Sequence, residues 1–198
     1  IDIEQQFDSL IGDVRSCELC QESLPLGPRP VVQIDRQSRI LIVGQAPGLK
    51  VHKSGIPFDD ASGNRLRDWL GMSKETFYDA KSVAILPMGF CYPGKGSSGD
   101  LPPRPECAKA WRQKLLAQLT AVELTIVIGQ YAQAYHLPGS AKSVTETVVA
   151  WQEHWPNVVP LPHPSPRNNP WLTRNPWFET ELVPKLRNRV AEILAKSP

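Results

Sequence analysis

The sequence predicts an α/β fold: a three-layer α/β/α sandwich around a central four-stranded parallel sheet. Four short apolar runs, at 39–43, 82–86, 124–128 and 158–161, have the length of core strands, and each ends at a glycine or a proline. Segments with apolar residues at helical spacing separate and flank them. Strands that alternate with helices close a parallel sheet covered on both faces.

Each element follows from local chemistry. Ile3, Phe7, Leu10, Ile11 and Val14 share one helical face, so an amphipathic helix over 3–14 leads into Cys17. A proline-rich connection over 25–30 leads to the first strand, 39–43, which stops at Gly44. A Gly/Pro-rich loop precedes a helix starting near 62, with Leu66, Trp69 and Leu70 inward and Gly71 as its cap. The second strand ends at Pro87, and 92–105 reads as loop because it holds Pro93, Gly94, Gly96, Gly99, Pro102, Pro103 and Pro105. Pro105 suits the first turn of a helix carrying Trp111, Leu115, Leu116 and Leu119. The third strand meets Gly129 and a short helix, the fourth runs into Pro162-His163-Pro164, and a last helix covers 178–194.

Composition bounds the rest. A chain of 198 residues that is 41% hydrophobic can bury one sizeable core, so a single domain over 1–198 is expected, with a helix and CxxC element at 1–30. No run reaches the length of a membrane span, and the first residues lack the basic-then-apolar layout of a secretory signal. The expectation is a cytoplasmic monomer with no membrane partner. A net charge of +2, from 22 basic and 20 acidic residues, excludes a globally basic nucleic-acid binder and makes any basic footprint local. The 20 prolines interleave with apolar segments and so point to rigid connections rather than disorder.

Ligands of open parallel sheets bind outside the carboxyl ends of the strands. Three unusual segments begin there: Gly44-Gln45-Ala46-Pro47-Gly48, Pro87 to Cys91, and His163-Pro164-Ser165-Pro166-Arg167-Asn168. Any one could simply terminate a strand, but three polar, tightly shaped loops on one edge predict a site. The four cysteines, Cys17, Cys20, Cys91 and Cys107, read first as metal or cluster ligands and second as disulfides.

The segment Gly44 to Gly48, followed by Gly55-Ile56-Pro57-Phe58, resembles the first motif of the uracil-DNA glycosylase superfamily. The segment His163 to Asn168 resembles the second motif, most closely its form in the single-strand-selective branch, and the resemblance spreads over roughly 14–170. It implies a DNA-repair glycosylase whose partner is DNA with a flipped-out or single-stranded base, and whose reaction hydrolyses the N-glycosidic bond of a deaminated base, uracil foremost. It implies roles as well. Phe58 stacks on the base in a pocket bounded by Gly44, His163 donates a hydrogen bond to the base carbonyl as charge develops, and the Gln45 and Ala46 N–H groups add donors. Ser165 holds a phosphate, Arg167 pushes into the duplex, and Asn168, Lys53 and Arg174 contact the backbone.

Three positions depart from the family pattern. Where the most active branch has a water-positioning aspartate this chain has Ala46, and where the iron–sulfur branch has a glutamate it has Gln45, an amide that cannot act as a carboxylate base. The uracil-reading asparagine aligns with Pro87, which has neither an amide side chain nor an N–H. These departures keep two other classes open: a glycosylase fold that grips nucleic acid or a nucleotide without excision, and an enzyme for another base or a free nucleoside.

The cysteine layout is similar to that of the iron–sulfur branch, with two cysteines before the first motif and two after the second strand. A [4Fe-4S] cluster held by Cys17, Cys20, Cys91 and Cys107 is what this implies, with tetrahedral zinc or four unliganded core cysteines as the rivals.

Overall fold

A computed structural model of the chain describes residues 2–139 and 143–196. The N-terminal helix α1 (Ile3–Arg15) buries Phe7, Ile11 and Val14, three of the residues of its apolar stripe. The first strand, β1 (Ile40–Val43), is buried along its whole length. It is followed by α2 (Leu49–Ser54), α3 (Ala61–Leu70), α4 (Lys74–Phe77) and β2 (Val83–Ile85). The predicted cap at Gly71 closes α3 with a left-handed φ of 64°, and Asp60 caps its start by accepting from the Gly63 N–H.

The loop after β2 is not wholly irregular. Two residues of β3 (Lys95–Gly96) pair antiparallel with β4 (Gly99–Asp100) in a short ribbon. Pro105 opens α5 (Pro105–Cys107), as its missing N–H favours, and a π-helical turn at Ala108–Arg112 leads into α6 (Gln113–Leu116). Then come β5 (Leu124–Ile128), α7 (Gly129–His136), α8 (Val144–Val149), β6 (Val158–Leu161), α9 (Asn169–Arg174) and α10 (Val183–Ala195), the last preceded by a π-helical turn at Phe178–Leu182.

The main sheet is all parallel with strand order β2-β1-β5-β6. Its pleat divides the core. Ile40, Ile42, Ile85, Ile126 and Leu161 face α3 and α10 through Leu66, Trp69, Leu186 and Val190. Leu41, Val43, Leu86 and Val127 face α1 and the segment around α6 through Phe7, Ile11, Leu115 and Leu119. Each such side chain contributes about 1.5–3 kcal/mol by leaving water. This is the three-layer α/β/α arrangement with four parallel strands that the apolar runs predict. Among the described residues no helix is long and apolar enough to cross a membrane.

Because the chain leaves β1 toward β2 and returns to β5 on the other side, the strand order reverses beside β1. A crevice at the carboxyl ends follows from that reversal.

Candidate functional site

The three strand-end loops meet around a cavity of about 510 Å³, within the range of small-ligand sites. Backbone hydrogen bonds set two of them against each other: the Met88 N–H donates to the Gly44 carbonyl at 2.9 Å and the Gly89 N–H to the Gln45 carbonyl at 3.0 Å. Gly44, Gln45, Ala46, Phe58, Pro87 and His163 all line the cavity, together with Ser165, Arg167 and Asn168. Among the described residues the N–H groups of Gln45 and Ala46 have no hydrogen-bond partner, so both remain free to donate.

Phe58 forms one wall under constraint. It is the one non-glycine residue with positive φ (56°) among the described residues, a conformation that costs an L-residue about 1–2 kcal/mol. Its surroundings enforce that conformation. Gly63 has no Cβ, and one built there would collide with the Phe58 carbonyl. That carbonyl accepts from Arg67 at 3.3 Å, Arg67 also donates to the Tyr78 hydroxyl at 3.2 Å, and Tyr78 donates to the Pro57 carbonyl at 2.8 Å. Gly44 leaves room for the ring, whose Cζ lies 3.3 Å from where a Gly44 Cβ would stand. Arg67 and Tyr78 carry no motif, and of this constraint the sequence marks only a helix starting near 62.

His163 is fixed by its own loop. The Ser165 N–H donates to its Nδ1 at 3.1 Å, and the Asn168 side-chain amide donates to its carbonyl at 2.7 Å. An accepting Nδ1 puts the proton of the neutral ring on Nε2, which is then a donor for the cavity. Burial holds the His163 pKa below its ordinary value, while the charges of Asp60 and Asp100 act the other way. Asn168 therefore spends one of its amide hydrogens on the loop rather than on a ligand. Ser165 is turned inward as well, since its Oγ accepts from the Arg167 N–H at 3.2 Å.

Arg167 is exposed and reaches across the cavity mouth to the Ser98 carbonyl at 3.4 Å. Lys53 is exposed on α2 outside the cavity lining, and Arg174 is exposed at the end of α9. The motifs do not mark Arg112. It is 1% exposed and donates to the Leu86 carbonyl at 2.6 Å and the Pro87 carbonyl at 3.2 Å, so a buried guanidinium holds the loop that carries Pro87.

The four cysteines surround a second, smaller cavity, walled by Leu19, Leu24, Pro28, Pro30 and Phe90. None is in a disulfide. N–H groups already point at sulfur: Trp111 Nε1 donates to Cys17 at 3.2 Å and the Phe90 N–H to Cys107 at 3.3 Å. Burial pushes the Cys91 thiol up to about 11 and Cys107 to about 12, so a cation is what would make them thiolates. Among the described residues no three Cys, His, Asp or Glu side chains close on one point as a single ion requires. Zinc draws its sulfurs to about 2.3 Å from one centre. Four thiols around one apolar cavity, with N–H donors aimed at two of them, are a donor set that either a cluster or zinc could use.

Two comparisons bear on this architecture. A family model of the uracil DNA glycosylase superfamily matches residues 31–187. A type-4 uracil-DNA glycosylase from Thermotoga maritima is 27% identical over 177 residues, covering 87% of this chain and 85% of that protein.

Proposed function

The chain belongs to the uracil DNA glycosylase superfamily, and from that premise we propose that it is a DNA-repair hydrolase that cleaves the N-glycosidic bond of a deaminated base, uracil foremost, in DNA. The observation that carries this reading is the pairing, across one cavity, of the constrained Phe58 ring with the neutral His163 ring, whose free donor is Nε2. Phe58 stacks on the extruded base. As the C1′–N bond lengthens, charge grows on the base carbonyl, and the Nε2–H with the Gln45 and Ala46 N–H groups stabilises it without reorganisation. Ser165, Arg167, Asn168 and Lys53 remain our candidates for the DNA backbone, Ser165 and Asn168 after a local rearrangement of their present bonds.

We assign Cys17, Cys20, Cys91 and Cys107 to a [4Fe-4S] cluster with a structural role. It would tie the end of α1 and the start of α5 to the loop after β2. Four cysteines outside any disulfide suit a reducing compartment, which supports a cytoplasmic setting.

Ala46 and Pro87 favour a second reading, a binder that holds an extruded base without excising it. A gel assay for abasic sites, run on single- and double-stranded oligonucleotides carrying uracil, hypoxanthine or xanthine, separates the two. Strand scission at the modified position supports the hydrolase. Retention of the oligonucleotide without scission supports the binder.

A further inference from the structure

The first-motif loop lacks a carboxylate, yet the cavity does not. Two aspartates line it, Asp60 and Asp100. Asp60 is committed to the start of α3, where it accepts from the Gly63 N–H at 2.9 Å. The Asp100 backbone pairs with Lys95 in the ribbon, but its carboxylate has no hydrogen bond or ion pair among the described residues. It sits on β4, whose ribbon is shaped by Gly99 at φ 128° and held to the His163 loop by the Arg167 contact with Ser98. Its Oδ2 lies 3.5 Å from the point a Gly48 Cβ would occupy, so the carboxylate rests against the loop that carries Ala46.

Resting on the hydrolase reading, we propose that Asp100 is the carboxylate that orients the attacking water, supplied from the ribbon that rests against the Ala46 loop. A negative group in a site for a polyanion weakens binding, so its position there calls for a role in the chemistry. The step balances. The C1′–N bond breaks and its electron pair leaves on the base, whose carbonyl accepts from His163 Nε2. The water oxygen bonds to C1′, its proton passes to the Asp100 carboxylate and then to solvent, and the base anion takes a proton from solvent.

Single-turnover excision by the full chain tests this. Asp100→Asn should slow excision by about 10²-fold or more. Its affinity for an oligonucleotide carrying non-hydrolysable 2′-fluorodeoxyuridine should stay the same or rise. Adding Ala46→Asp to Asp100→Asn should recover at least tenfold, because it returns a carboxylate to the same space. Asp13→Asn, an exposed change on α1, controls for charge. Wild-type excision matched in rate by Asp100→Asn overturns the proposal and leaves the hydrolase reading standing. No excision by the wild type on any deaminated base overturns both.

Discussion

The Ser165 backbone N–H donates to Nδ1 of His163 across 3.1 Å, and this one bond decides which nitrogen of the ring faces a ligand. Since Nδ1 accepts, protonation at that atom would break the bond, and burial opposes the charged ring as well. His163 should therefore stay neutral and donating well into the acid range. His163→Ala should lower excision by about 10²–10³-fold, and His163→Gln should recover part of it through its amide N–H. Proton exchange of the ring, followed by NMR, should locate the proton on Nε2 near pH 7. A ring protonated at both nitrogens there would contradict the assignment.

The Phe58 wall depends on a residue with no side chain. A Cβ at Gly63 would meet the Phe58 carbonyl and come within 2.8 Å of the Phe58 Cβ. Gly63→Ala should cost about 1–3 kcal/mol of stability and should also weaken binding of an extruded base, because Phe58 must leave its present conformation. Phe58→Ala should weaken base binding to a similar degree while keeping most of the stability. Urea unfolding together with affinity for a 2′-fluorodeoxyuridine oligonucleotide separates the two effects.

What the sequence made legible is what period and punctuation encode. Residues 40–43, 124–128 and 158–161 form strands as their apolar runs predict, and Gly71 and Pro105 sit at the helix ends expected of them. The cavity-lining residues of the two motifs were legible because each directly follows a strand. The ribbon at 95–100 was not, since glycine-rich two-residue strands carry no periodic signal. The short helices α2, α4, α8 and α9 were missed for a related reason: each is six residues or fewer, too short to display a stripe. Arg67 and Arg112 were invisible for another reason. Burial of an arginine is set by carbonyls brought in from distant segments, as Leu86 and Pro87 are brought to Arg112.

Stability should fall in mild acid, and His136 gives the sign. Arg112 Nε donates to His136 Nε2 at 3.4 Å, so protonating that ring would set two cations together inside the protein. Burial, then Arg112, lowers the His136 pKa to about 4 from an ordinary 6.5. Between those values the unfolded chain binds the proton and the folded one does not. Its stabilising contribution is therefore complete above about pH 6.5 and is lost progressively as pH falls toward 4. His163, also depressed, acts in the same direction. Melting temperatures measured from pH 7.5 to 4.5 should decline, and His136→Gln, which keeps an acceptor for Arg112, should make the decline shallower. An unchanged slope would remove His136 from the account.

Removing the Arg112 guanidinium strands two buried carbonyls, those of Leu86 and Pro87, at about 1–3 kcal/mol each. Arg112→Met keeps much of the volume and should lower the melting temperature by several degrees. Because the loop it releases carries Pro87, KM should rise more than kcat falls. Arg112→Lys should rescue only one of the two contacts.

Protein purified without oxygen should be brown and should contain iron and sulfide with all four cysteines intact. Cys107→Ser should bleach it and reduce stability, because Cys107 joins α5 to the loop after β2 through the Phe90 N–H. Stoichiometric zinc in place of iron, or folded protein with no metal, would overturn the cluster assignment.

Arg167 has two partners to choose between. In the free protein its guanidinium reaches the Ser98 carbonyl at 3.4 Å and crowds Gly99, where an added Cβ would lie 2.8 Å from its Nη1. To enter a duplex it must leave the ribbon, and as a wedge it would then fill the gap vacated by an extruded base. Single-stranded DNA has no such gap. Arg167→Ala should therefore weaken duplex binding more than single-strand binding. With a net charge of +2, few phosphates are neutralised and the salt dependence should be shallow throughout. If Arg167 only pairs with a phosphate, the variant should lose affinity equally on both strands and reduce the salt slope by about one contact. Fluorescence anisotropy on matched single- and double-stranded oligonucleotides at several salt concentrations decides between a wedge and a phosphate anchor.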